Sequence, residues 1–357
     1  MSAGPVPIGV LGTGTYLPPT VVTNEEIAAL TGTSARWIEE RTGIRRRRRA
    51  LPGQASSDLA AAAVQAALTD ARLDVGDLDL VVLATSTPDE LGPSTACRVQ
   101  SLLGADRAVA FDVSAACSGW LFGARVAVDW LRAETGARYA AVVGVETYSP
   151  FVDASDRATA VLFGDGAAAT VLGPVATGGF GRIRLGSDGT RADQVLIPAG
   201  GSRIPATGRT VAGKDHRIHM QGRQLASFVN GVFPSLIGSA LDDAALGLSD
   251  IDLVVAHQPN PAMLRDVARR CGVLPRQLVV AGRDVGNIGA ASMPFALAQA
   301  ARAGRTTPGA RVLTLAFGAG LTWGSTVLTW AAPAATAPGG PVAAQRPLEA
   351  PIPRATP

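Results

Sequence analysis

Cysteine, aromatic residues, lysine and long hydrophobic runs are all scarce in this 357-residue sequence. Its three cysteines are widely spaced and form no CxxC pair, so they offer neither a disulfide framework nor a zinc knuckle. The longest apolar stretches, such as 78–84 and 139–145, have the length of a strand and fall far short of the ~18 residues that a membrane helix requires. Residues 1–12 show no basic segment followed by an apolar core and a cleavage site, so no secretory signal is readable. We therefore expect a cytoplasmic protein without a membrane span and without a metal site.

The remaining composition is that of a globular protein. Hydrophobic residues make up 47% and charged residues 17%, whereas a disordered chain carries fewer apolar residues and more charge. The net charge is only +3, and we expect no nucleic-acid partner. One dense charge cluster stands out, the five arginines at 45–49. Such a run is typical of a solvated face or of a contact with an anion.

An internal repeat divides the chain into two related parts. Residues 67–82 (ALTDARLDVGDLDLVV) and 240–255 (ALDDAALGLSDIDLVV) share ten of sixteen positions at a constant offset of 173. Each copy reads as the end of a helix, a short turn and a buried β-branched strand, which is typical of an α/β unit with a largely parallel sheet. The repeat predicts two α/β halves, at 1–180 and 181–330, followed by a mobile Pro/Ala-rich tail at 331–357.

Within these halves the hydrophobic pattern predicts individual elements. The predicted strands are 8–11, 109–113, 139–145, 251–256, 278–280 and 311–315. Helices are predicted at 57–71 and 220–241.

Cys117 is the candidate nucleophile. It lies in the sequence FDVSAACSG (111–119), where a predicted strand gives way to small residues and then to the apolar helical stretch 120–131. A thiol at the N-terminal end of a helix is expected to have a lowered pKa, because the helix dipole favours the thiolate. A cysteine in general is more often a small buried hydrophobe, and we keep that interpretation for Cys97 and Cys271.

His257 and Asn287 are polar residues that the duplication brings to the same edge as Cys117. His257 follows the predicted strand 251–256, and ligands of α/β proteins gather at the C-terminal edge of the sheet. Asn287 lies in a glycine-rich turn, where Asp284 stands at an offset of 172 from Asp112 in the Cys117 segment.

Several motifs occur in a fixed order along the chain: DVSAACSG around Cys117, FGDGAA at Phe163, AHQPN around His257, GNIGAAS around Asn287 and FGAGLTWGS at Phe317. Together with RWIEERTGIRRRR near Trp37, they cover about residues 8–330. With this set the chain resembles the β-ketoacyl-ACP synthase III family, the priming condensing enzymes of the thiolase superfamily. The resemblance implies an α/β, thiolase-like fold of two halves related by a pseudo-twofold axis, in five layers α-β-α-β-α.

The resemblance also implies a reaction. Cys117 would take an acyl group from acyl-CoA, with the backbone N–H groups of Cys117 and Ala319 as the oxyanion hole. A malonyl thioester, carried by CoA or by acyl carrier protein (ACP), would then lose CO2 while His257 and Asn287 donate hydrogen bonds to its thioester oxygen. The enolate would attack the acyl-Cys117 carbonyl in a decarboxylative Claisen condensation of fatty-acid or polyketide initiation. Both thioesters are substrates, and no permanently bound cofactor is expected.

Similar enzymes bind CoA in a channel, and the resemblance assigns residues to it. Trp37 would stack on the adenine with Arg157 on the other face, and Arg41 or Arg45 would lie near phosphate. The remaining arginines of the run are expected to be solvated or interfacial. Two further positions are assigned to the CoA-binding part: Asn260 and Gly222.

Some positions depart from the family pattern. Ala319 stands in the turn Gly-Ala-Gly where many relatives have glycine. Ala262 stands where relatives have an arginine that helps to dock ACP, although Arg265 follows three residues later. In the predicted acyl pocket, formed by Gly92, Tyr148 and Ala226, Gly92 and Ala226 replace bulkier residues, so an acyl group larger than acetyl is plausible.

Two other functions stay open. Some similar proteins of natural-product pathways move the acyl group from cysteine to an alcohol or amine without condensation, although the presence of both His257 and Asn287 favours condensation. The chain could also bind acyl-CoA or ACP without turnover, which the complete Cys-His-Asn set disfavours. By analogy we expect a homodimer, with residues 90–103 at the interface close to the acyl pocket.

Overall fold

The computed structural model describes residues 6–134 and 136–331, so the predicted tail lies, apart from its first residue, outside the described residues. The strands, in chain order, are β1 (Ile8–Tyr16), β2 (Thr20–Thr23), β3 (Arg46–Arg49), β4 (Leu80–Ala84), β5 (Val109–Val113), β6 (Ala140–Glu146), β7 (Gly166–Pro174), β8 (Gly179–Phe180), β9 (Arg184–Ser187), β10 (Val195–Leu196), β11 (His219–Met220), β12 (Leu253–Ala256), β13 (Arg311–Gly318) and β14 (Thr322–Thr329). The α-helices are α1 (Asn24–Thr31), α2 (Ala35–Thr42), α3 (Ser56–Ala71), α4 (Thr95–Leu103), α5 (Gly119–Ala133), α6 (Arg157–Ala160), α7 (Gly208–Ala212), α8 (Gly222–Ala244), α9 (Pro261–Arg270) and α10 (Ser292–Arg302). Short 3-10 helices are Val75–Asp77, Ala116–Ser118, Ser149–Phe151, Gly189–Gln194, Leu248–Asp250, Gly282–Asp284 and Gly289–Ala291.

The first sheet has the strand order β1-β7-β6-β4-β5. Strands β5, β4 and β6 run parallel, whereas β7 and β1 are antiparallel to their neighbours. Every residue of β4 and β6 is buried. Apart from Glu146 at the end of β6, both sequences are continuously apolar, as expected of strands that are covered on both faces.

The second sheet repeats this pattern. Strand β12 pairs in parallel with β13, β13 pairs antiparallel with β14, and β14 pairs antiparallel with β8 and β9. The sequence repeat maps onto matching elements, because Leu80 begins β4 and Leu253 begins β12 at the offset of 173. The 3-10 helices Val75–Asp77 and Leu248–Asp250 precede these two strands at the same offset. The predicted pair of related α/β halves is therefore confirmed.

The helices complete a five-layer arrangement. Helices α3 and α4 cover the outer face of the first sheet, α5 and α10 pack between the sheets, and α8 and α9 cover the second sheet. Glycine in β1 allows the first of these contacts, since a Cβ on Gly14 would lie 2.1 Å from the carbonyl oxygen of Ala63 in α3. The sheet and helix layers agree with the predicted fold class.

One helix of the described residues, α8, is long and apolar enough to cross a membrane by length and composition. In this fold one face of α8 packs on the second sheet. The buried side chains on that face include Val229, Phe233, Leu236 and Ile237.

The structure differs from the predicted elements at two sheet edges. Residues 278–280 form no strand, and Leu278 makes only an isolated parallel bridge with Val254. Beyond this bridge the Gln258 side chain, not a strand, bonds to the backbone of the segment. It donates to the carbonyl of Val279 at 3.0 Å and accepts from the amide of Ala281 at 3.0 Å. Strand β8 ends at residue 180, the predicted end of the first half. It nevertheless belongs to the second sheet, because it pairs with β14.

The arginine run is also less solvated than predicted. It forms β3, which pairs with β2, and strand alternation turns Arg47 inward until only 3% of it is exposed. Its guanidinium donates to Asn24 Oδ1 at 2.9 Å and to the carbonyl of Val161 at 2.8 Å. Burial lowers the pKa of Arg47 to about 10. Arg47 is thus part of the core.

Candidate active site

A cavity of ≈ 840 Å³ lies where strands of both sheets end. It runs from the Trp37 region to the loops that follow β4, β5, β6, β12 and β13. The predicted site residues that line it are Trp37, Arg41, Cys117, Tyr148, Arg157, Gly222, Ala226, His257, Asn260, Asn287 and Ala319.

Gly92 is the predicted site residue that the cavity does not include. It lies in the exposed loop between β4 and α4, next to Leu91, which is 86% exposed. A Cβ on Gly92 would meet nothing within 4 Å. Gly92 therefore does not line the cavity of this single chain, and its place in the acyl pocket stays a prediction.

The Cys117 turn is held by contacts from the second half. Cys117 lies in the 3-10 helix Ala116–Ser118, which leads directly into α5, and Ala116 has a φ of 46°. The hydroxyl of Thr322 lies 3.0 Å from the carbonyl oxygens of both Ala115 and Ala319. It also lies 2.5 Å from the Ser118 hydroxyl. One β14 side chain thus ties the nucleophile turn to the turn that carries Ala319.

The two turns that carry the predicted oxyanion-hole residues, Cys117 and Ala319, lie against each other. A Cβ on Gly318 would lie 2.7 Å from the backbone nitrogen of Cys117, so β13 ends directly against the backbone of the nucleophile. Ala319 follows Gly318 and lines the cavity together with Cys117. The alanine methyl replaces a glycine hydrogen without removing the backbone N–H.

The prediction of a lowered thiol pKa is not supported. Burial, and then the nearby Glu146, raise the pKa of Cys117 to about 12, although a hydrogen bond with Tyr148 acts in the opposite direction. Desolvation disfavours the thiolate more strongly than the local hydrogen bonds favour it. The free enzyme therefore holds Cys117 as a thiol, and acylation needs a proton acceptor.

His257 is fixed by a residue that the sequence analysis missed. Its Nδ1 lies 2.6 Å from the Ser292 hydroxyl, which also accepts the Gln258 N–H at 3.2 Å. Since Ser292 is buried and no other acceptor for its hydroxyl lies among the described residues, we assign its proton to a bond with Nδ1. His257 then carries its own proton on Nε2. Burial lowers the pKa of His257 to about 3, so the ring is neutral and acts as a donor through Nε2.

Asn287 is oriented in a comparable way. Its Oδ1 accepts the Gly289 N–H at 2.9 Å, which leaves the Nδ2 hydrogens as donors. Its backbone pairs with the segment before β7, donating to Leu162 at 2.8 Å and accepting from Gly164 at 3.0 Å. The turn after it rests on the first sheet, since a Cβ on Gly144 would lie 2.3 Å from the carbonyl oxygen of Ala290. Both predicted donors are thus fixed in donor orientation.

A buried carboxyl group close to Cys117 was also missed. Glu146 is 0% exposed and accepts the Ser86 N–H at 3.1 Å, the Thr87 hydroxyl at 3.0 Å and the Ala290 N–H at 3.3 Å. Burial raises its pKa to about 7 despite these donors. Its position at the end of an otherwise apolar strand resembles that of His257 and could have drawn attention to it.

The outer part of the cavity contains the predicted CoA residues. The Arg157 guanidinium lies 5.2 Å from the centre of the Trp37 ring, so the two are already stacked on each other. A base between them therefore requires Arg157 to move aside. Arg41 lines the cavity, whereas Arg45 does not and instead pairs with Glu39 at 2.8 Å.

The other cysteines lie outside the cavity. Cys271 is partly buried and its pKa is raised by burial, whereas Cys97 is exposed, contrary to its interpretation as a buried hydrophobe. Within residues 6–134 and 136–331, no group of three or more His, Cys, Asp or Glu side chains could hold a metal ion.

Comparison with known proteins gives a consistent result. The family described as 3-oxoacyl-[acyl-carrier-protein (ACP)] synthase III matches residues 111–189, and its C-terminal part matches residues 241–330. The β-ketoacyl-[acyl-carrier-protein] synthase III of Caldanaerobacter subterraneus subsp. tengcongensis is 44% identical over 324 residues, which cover 90% of this chain and 97% of the relative.

Solved structures agree. The 3-oxoacyl-(acyl carrier protein) synthase III of Pseudomonas aeruginosa PAO1 has 38% identity and a TM-score of 0.83, covering 91% of this chain and 99% of its own. The priming β-ketosynthase of the R1128 polyketide biosynthetic pathway has 31% identity and a TM-score of 0.85, covering 94% and 99%. These similarities confirm the predicted thiolase-like fold and a condensing enzyme of fatty-acid or polyketide initiation. The chain belongs to the β-ketoacyl-[acyl-carrier-protein] synthase III family.

Proposed function

We propose that this chain joins an acyl group from acyl-CoA to a malonyl thioester through an acyl-Cys117 intermediate. The observation that carries the proposal is the pairing of one thiol with two neutral donors, His257 Nε2–H and Asn287 Nδ2–H, in one cavity. Neutral donors suit a step in which negative charge develops on the thioester oxygen. They stabilise the enolate without placing another charge beside it.

In the first half-reaction the Cys117 sulfur attacks the thioester carbonyl of acyl-CoA. The backbone N–H groups of Cys117 and Ala319 stabilise the oxyanion, and each such donor contributes roughly 3 kcal/mol. In the second, malonyl thioester loses CO2 while His257 and Asn287 hold its thioester oxygen. The enolate carbon then attacks the acyl-Cys117 carbonyl and releases the cysteine.

The acyl group of the primer enters the inner part of the cavity. Ala226 contributes only a methyl group to the cavity wall, whereas the buried Tyr148 contributes a phenol ring. The small side chain of Ala226 in the cavity wall supports a primer larger than acetyl. Protein groups and the two thioesters carry every step, so we propose that the enzyme works without a permanently bound cofactor.

The mouth of the cavity supports CoA and ACP as carriers. Trp37 and Arg157 suit the adenine, Arg41 suits phosphate, and Asn260 and Gly222 line the same cavity. Ala262 is partly buried, but Arg265, Arg269 and Arg270 of α9 are exposed and offer positive charge to an acidic carrier. Such carriers and CoA thioesters belong to the cytoplasm, and we propose that location.

A homodimer is supported by the edge of the first sheet. Strand β5 pairs only with β4 among the described residues, and its Val109 is 47% exposed. Leu91 and Cys97 are exposed beside this edge, within or next to the predicted interface 90–103. An unpaired edge strand with exposed apolar residues favours pairing with a second copy. A monomeric mass in sedimentation at micromolar concentration would contradict the dimer.

The test of the reaction is CO2 release. The protein is incubated with a panel of acyl-CoAs, and intact mass identifies those that add to Cys117. Malonyl-CoA or malonyl-ACP is then supplied to the loaded enzyme. CO2 and a ketoacyl product are expected; their absence with every primer that loads, together with turnover on an alcohol or amine, would replace condensation by acyl transfer. A protein that forms no thioester at all would be a binding module.

A further inference from the structure

The Thr322 hydroxyl lies between the two turns of the predicted oxyanion hole and has no role in the reaction described so far. Thr322 is the first residue of β14, and it lines the cavity. Its hydroxyl oxygen lies 2.5 Å from the Ser118 hydroxyl and 3.0 Å from each of the carbonyl oxygens of Ala115 and Ala319. Contacts of this length from one small side chain to both turns call for a function.

The hydrogens of this cluster can be assigned by counting donors. The hydroxyls of Thr322 and Ser118 carry one hydrogen each. The Ala115 carbonyl already accepts the Ser118 N–H at 3.2 Å, whereas the Thr322 hydroxyl is the one donor that the Ala319 carbonyl meets among the described residues. Each carbonyl has a donor only if Thr322 gives its hydrogen to Ala319, and the 2.5 Å contact then takes the hydrogen of Ser118. A chain of two hydrogen bonds thus runs from Ser118 through Thr322 to Ala319.

This chain fixes the backbone of Ala319 from two sides. Gly318, the residue before Ala319, is the strand partner of Thr322 in the β13–β14 ladder. The carbonyl of Ala319 itself accepts the Thr322 hydroxyl at 3.0 Å. Because the preceding residue is paired and its own carbonyl is bonded, Ala319 holds its N–H in one direction.

The backbone of Cys117 is held by the same residue. Ser118 follows Cys117 directly, and its hydroxyl is bonded to Thr322. On the other side of Cys117, Ala116 has a φ of 46°, a left-handed conformation that a residue other than glycine keeps only where its surroundings hold it. A Cβ on Gly318 would lie 2.7 Å from the Cys117 nitrogen, so the strand partner of Thr322 packs directly on the Cys117 backbone.

We propose that Thr322 is the positioning residue of the oxyanion hole, and that through Ser118 and Ala319 it holds the N–H groups of Cys117 and Ala319 at the spacing that the oxyanion requires. The inference rests on the acyl-Cys117 reaction proposed above and needs only its first half-reaction. Such donors act because they are in place before the charge develops, and a displacement of about 1 Å can cost about 10² in rate. Thr322 acts through these backbone groups.

The donors of the second half do not depend on Thr322. His257 is fixed by Ser292 and Asn287 by the Gly289 N–H. Loss of the Thr322 hydroxyl should therefore impair acylation of Cys117 and spare the decarboxylation of malonyl-CoA.

Alkylation of Cys117 provides a second contrast. Iodoacetamide reacts at a saturated carbon, so the sulfur displaces iodide without forming an oxyanion. A defect of the oxyanion hole should slow acylation and spare alkylation, whereas a displaced sulfur should slow both.

The test compares Thr322→Ala with Thr322→Ser, two variants that differ only in the hydroxyl. Single-turnover acylation of Cys117 is followed by intact mass over a range of concentrations of an acyl-CoA that loads the wild type. We expect a maximal rate at least about tenfold lower in Thr322→Ala, with little change in the half-saturating concentration, and a rate near that of the wild type in Thr322→Ser. Thr326→Ala is the matched control, because Thr326 is a buried threonine of the same strand that does not line the cavity.

Iodoacetamide alkylation and malonyl-CoA decarboxylation are measured on the same variants, with peptide mass separating Cys117 from Cys97 and Cys271. Both rates should stay close to those of the wild type. Ser118→Ala removes the bond to the nucleophile turn but leaves Thr322 bonded to Ala319, so it should slow acylation less, by about threefold, and should also spare alkylation.

Equal acylation rates in Thr322→Ala and Thr322→Ser would overturn the proposal. Parallel losses of acylation and alkylation would also overturn it, since Thr322 would then position the sulfur or support the fold. If Thr322→Ala does not fold, wild-type acylation in Ser118→Ala would have the same consequence. Failure of the loaded wild type to release CO2, with the expected acylation rates in the variants, would support the positioning role and contradict the proposed condensation.

Discussion

The two halves of this molecule share a sheet topology but bring opposite chemistry to the cavity. The first half contributes the nucleophile Cys117 after β5 and the phenol of Tyr148 just after β6. The second half contributes neutral donors, namely His257 after β12 and Asn287 before α10. The same strand ends therefore carry covalent chemistry in one half and charge stabilisation in the other.

Equivalent positions make the contrast clearer. Ala84 pairs with Gly144 in the first sheet, and Ala256 pairs with Leu315 in the second. Two residues after Gly144, β6 of the first half has the buried Glu146. Two residues after Leu315, β13 of the second half has Phe317. The Phe317 ring packs edge-on against His257 with the centroids 5.2 Å apart. A carboxylate there would favour an imidazolium, so the apolar ring helps to keep the histidine neutral.

The largest test of this division is Cys117→Ala. Acyl-enzyme formation should be lost completely, since no other cysteine lines the cavity. The fold should stay intact, because one sulfur is removed among small residues, and thermal unfolding should show this. Malonyl-CoA decarboxylation should persist, because the donors of the second half are untouched. Acylation at Cys97 or Cys271 in intact-mass and peptide analysis would refute the assignment of the nucleophile.

Asn287 variants test the other half. Asn287→Ala should still acylate Cys117 but should lose about 10² to 10³ in the rate of CO2 release, the usual cost of one such donor. Asn287→Asp should be slower still, because it places negative charge beside the developing enolate. Single-turnover acylation and CO2 release, measured on the same samples, separate the two half-reactions. Equal losses in both would show that the halves do not divide the chemistry.

Ser292→Ala tests the positioning of His257 without removing either of the two donors of the second half. The His257 ring would lose the hydrogen bond that fixes its Nε2–H form, which costs about 1 kcal/mol, or roughly a five- to tenfold lower rate of decarboxylation. Acylation of Cys117 should be little changed. Ser292→Thr keeps the hydroxyl and should restore most of the rate. Equal rates of CO2 release in Ser292→Ala and the wild type would show that the tautomer does not depend on Ser292.

The sequence alone predicted some of the residues of the site and missed others. Cys117, His257 and Asn287 could be predicted because each follows a strand or lies in a glycine-rich turn, and the repeat related the two edges. Ser292 lies inside the motif GNIGAAS but looks like one more small residue until its contact with His257 is known. The raised pKa of Cys117 could not be predicted, because desolvation depends on side chains from both halves. Arg47 shows the same limit, since a run of arginines does not reveal which one strand alternation buries.

The last predicted effect lies outside the chemistry of either half, at Trp37, and concerns the binding of acyl-CoA alone. Trp37→Ala should raise the KM for acyl-CoA roughly tenfold, the effect of losing one base-stacking contact, and should leave the rate of the loaded enzyme nearly unchanged. Trp37 is 37% exposed at the cavity mouth, so its removal creates little internal space and should not reduce stability greatly. Trp330 does not line the cavity, so Trp330→Ala is the control for loss of an indole, and its KM should stay that of the wild type. Acyl-pantetheine lacks the nucleotide and should not distinguish Trp37→Ala from the wild type, because the stacking partner is absent. A loss with acyl-pantetheine equal to that with acyl-CoA would mean that Trp37 supports the fold of the channel and does not bind adenine.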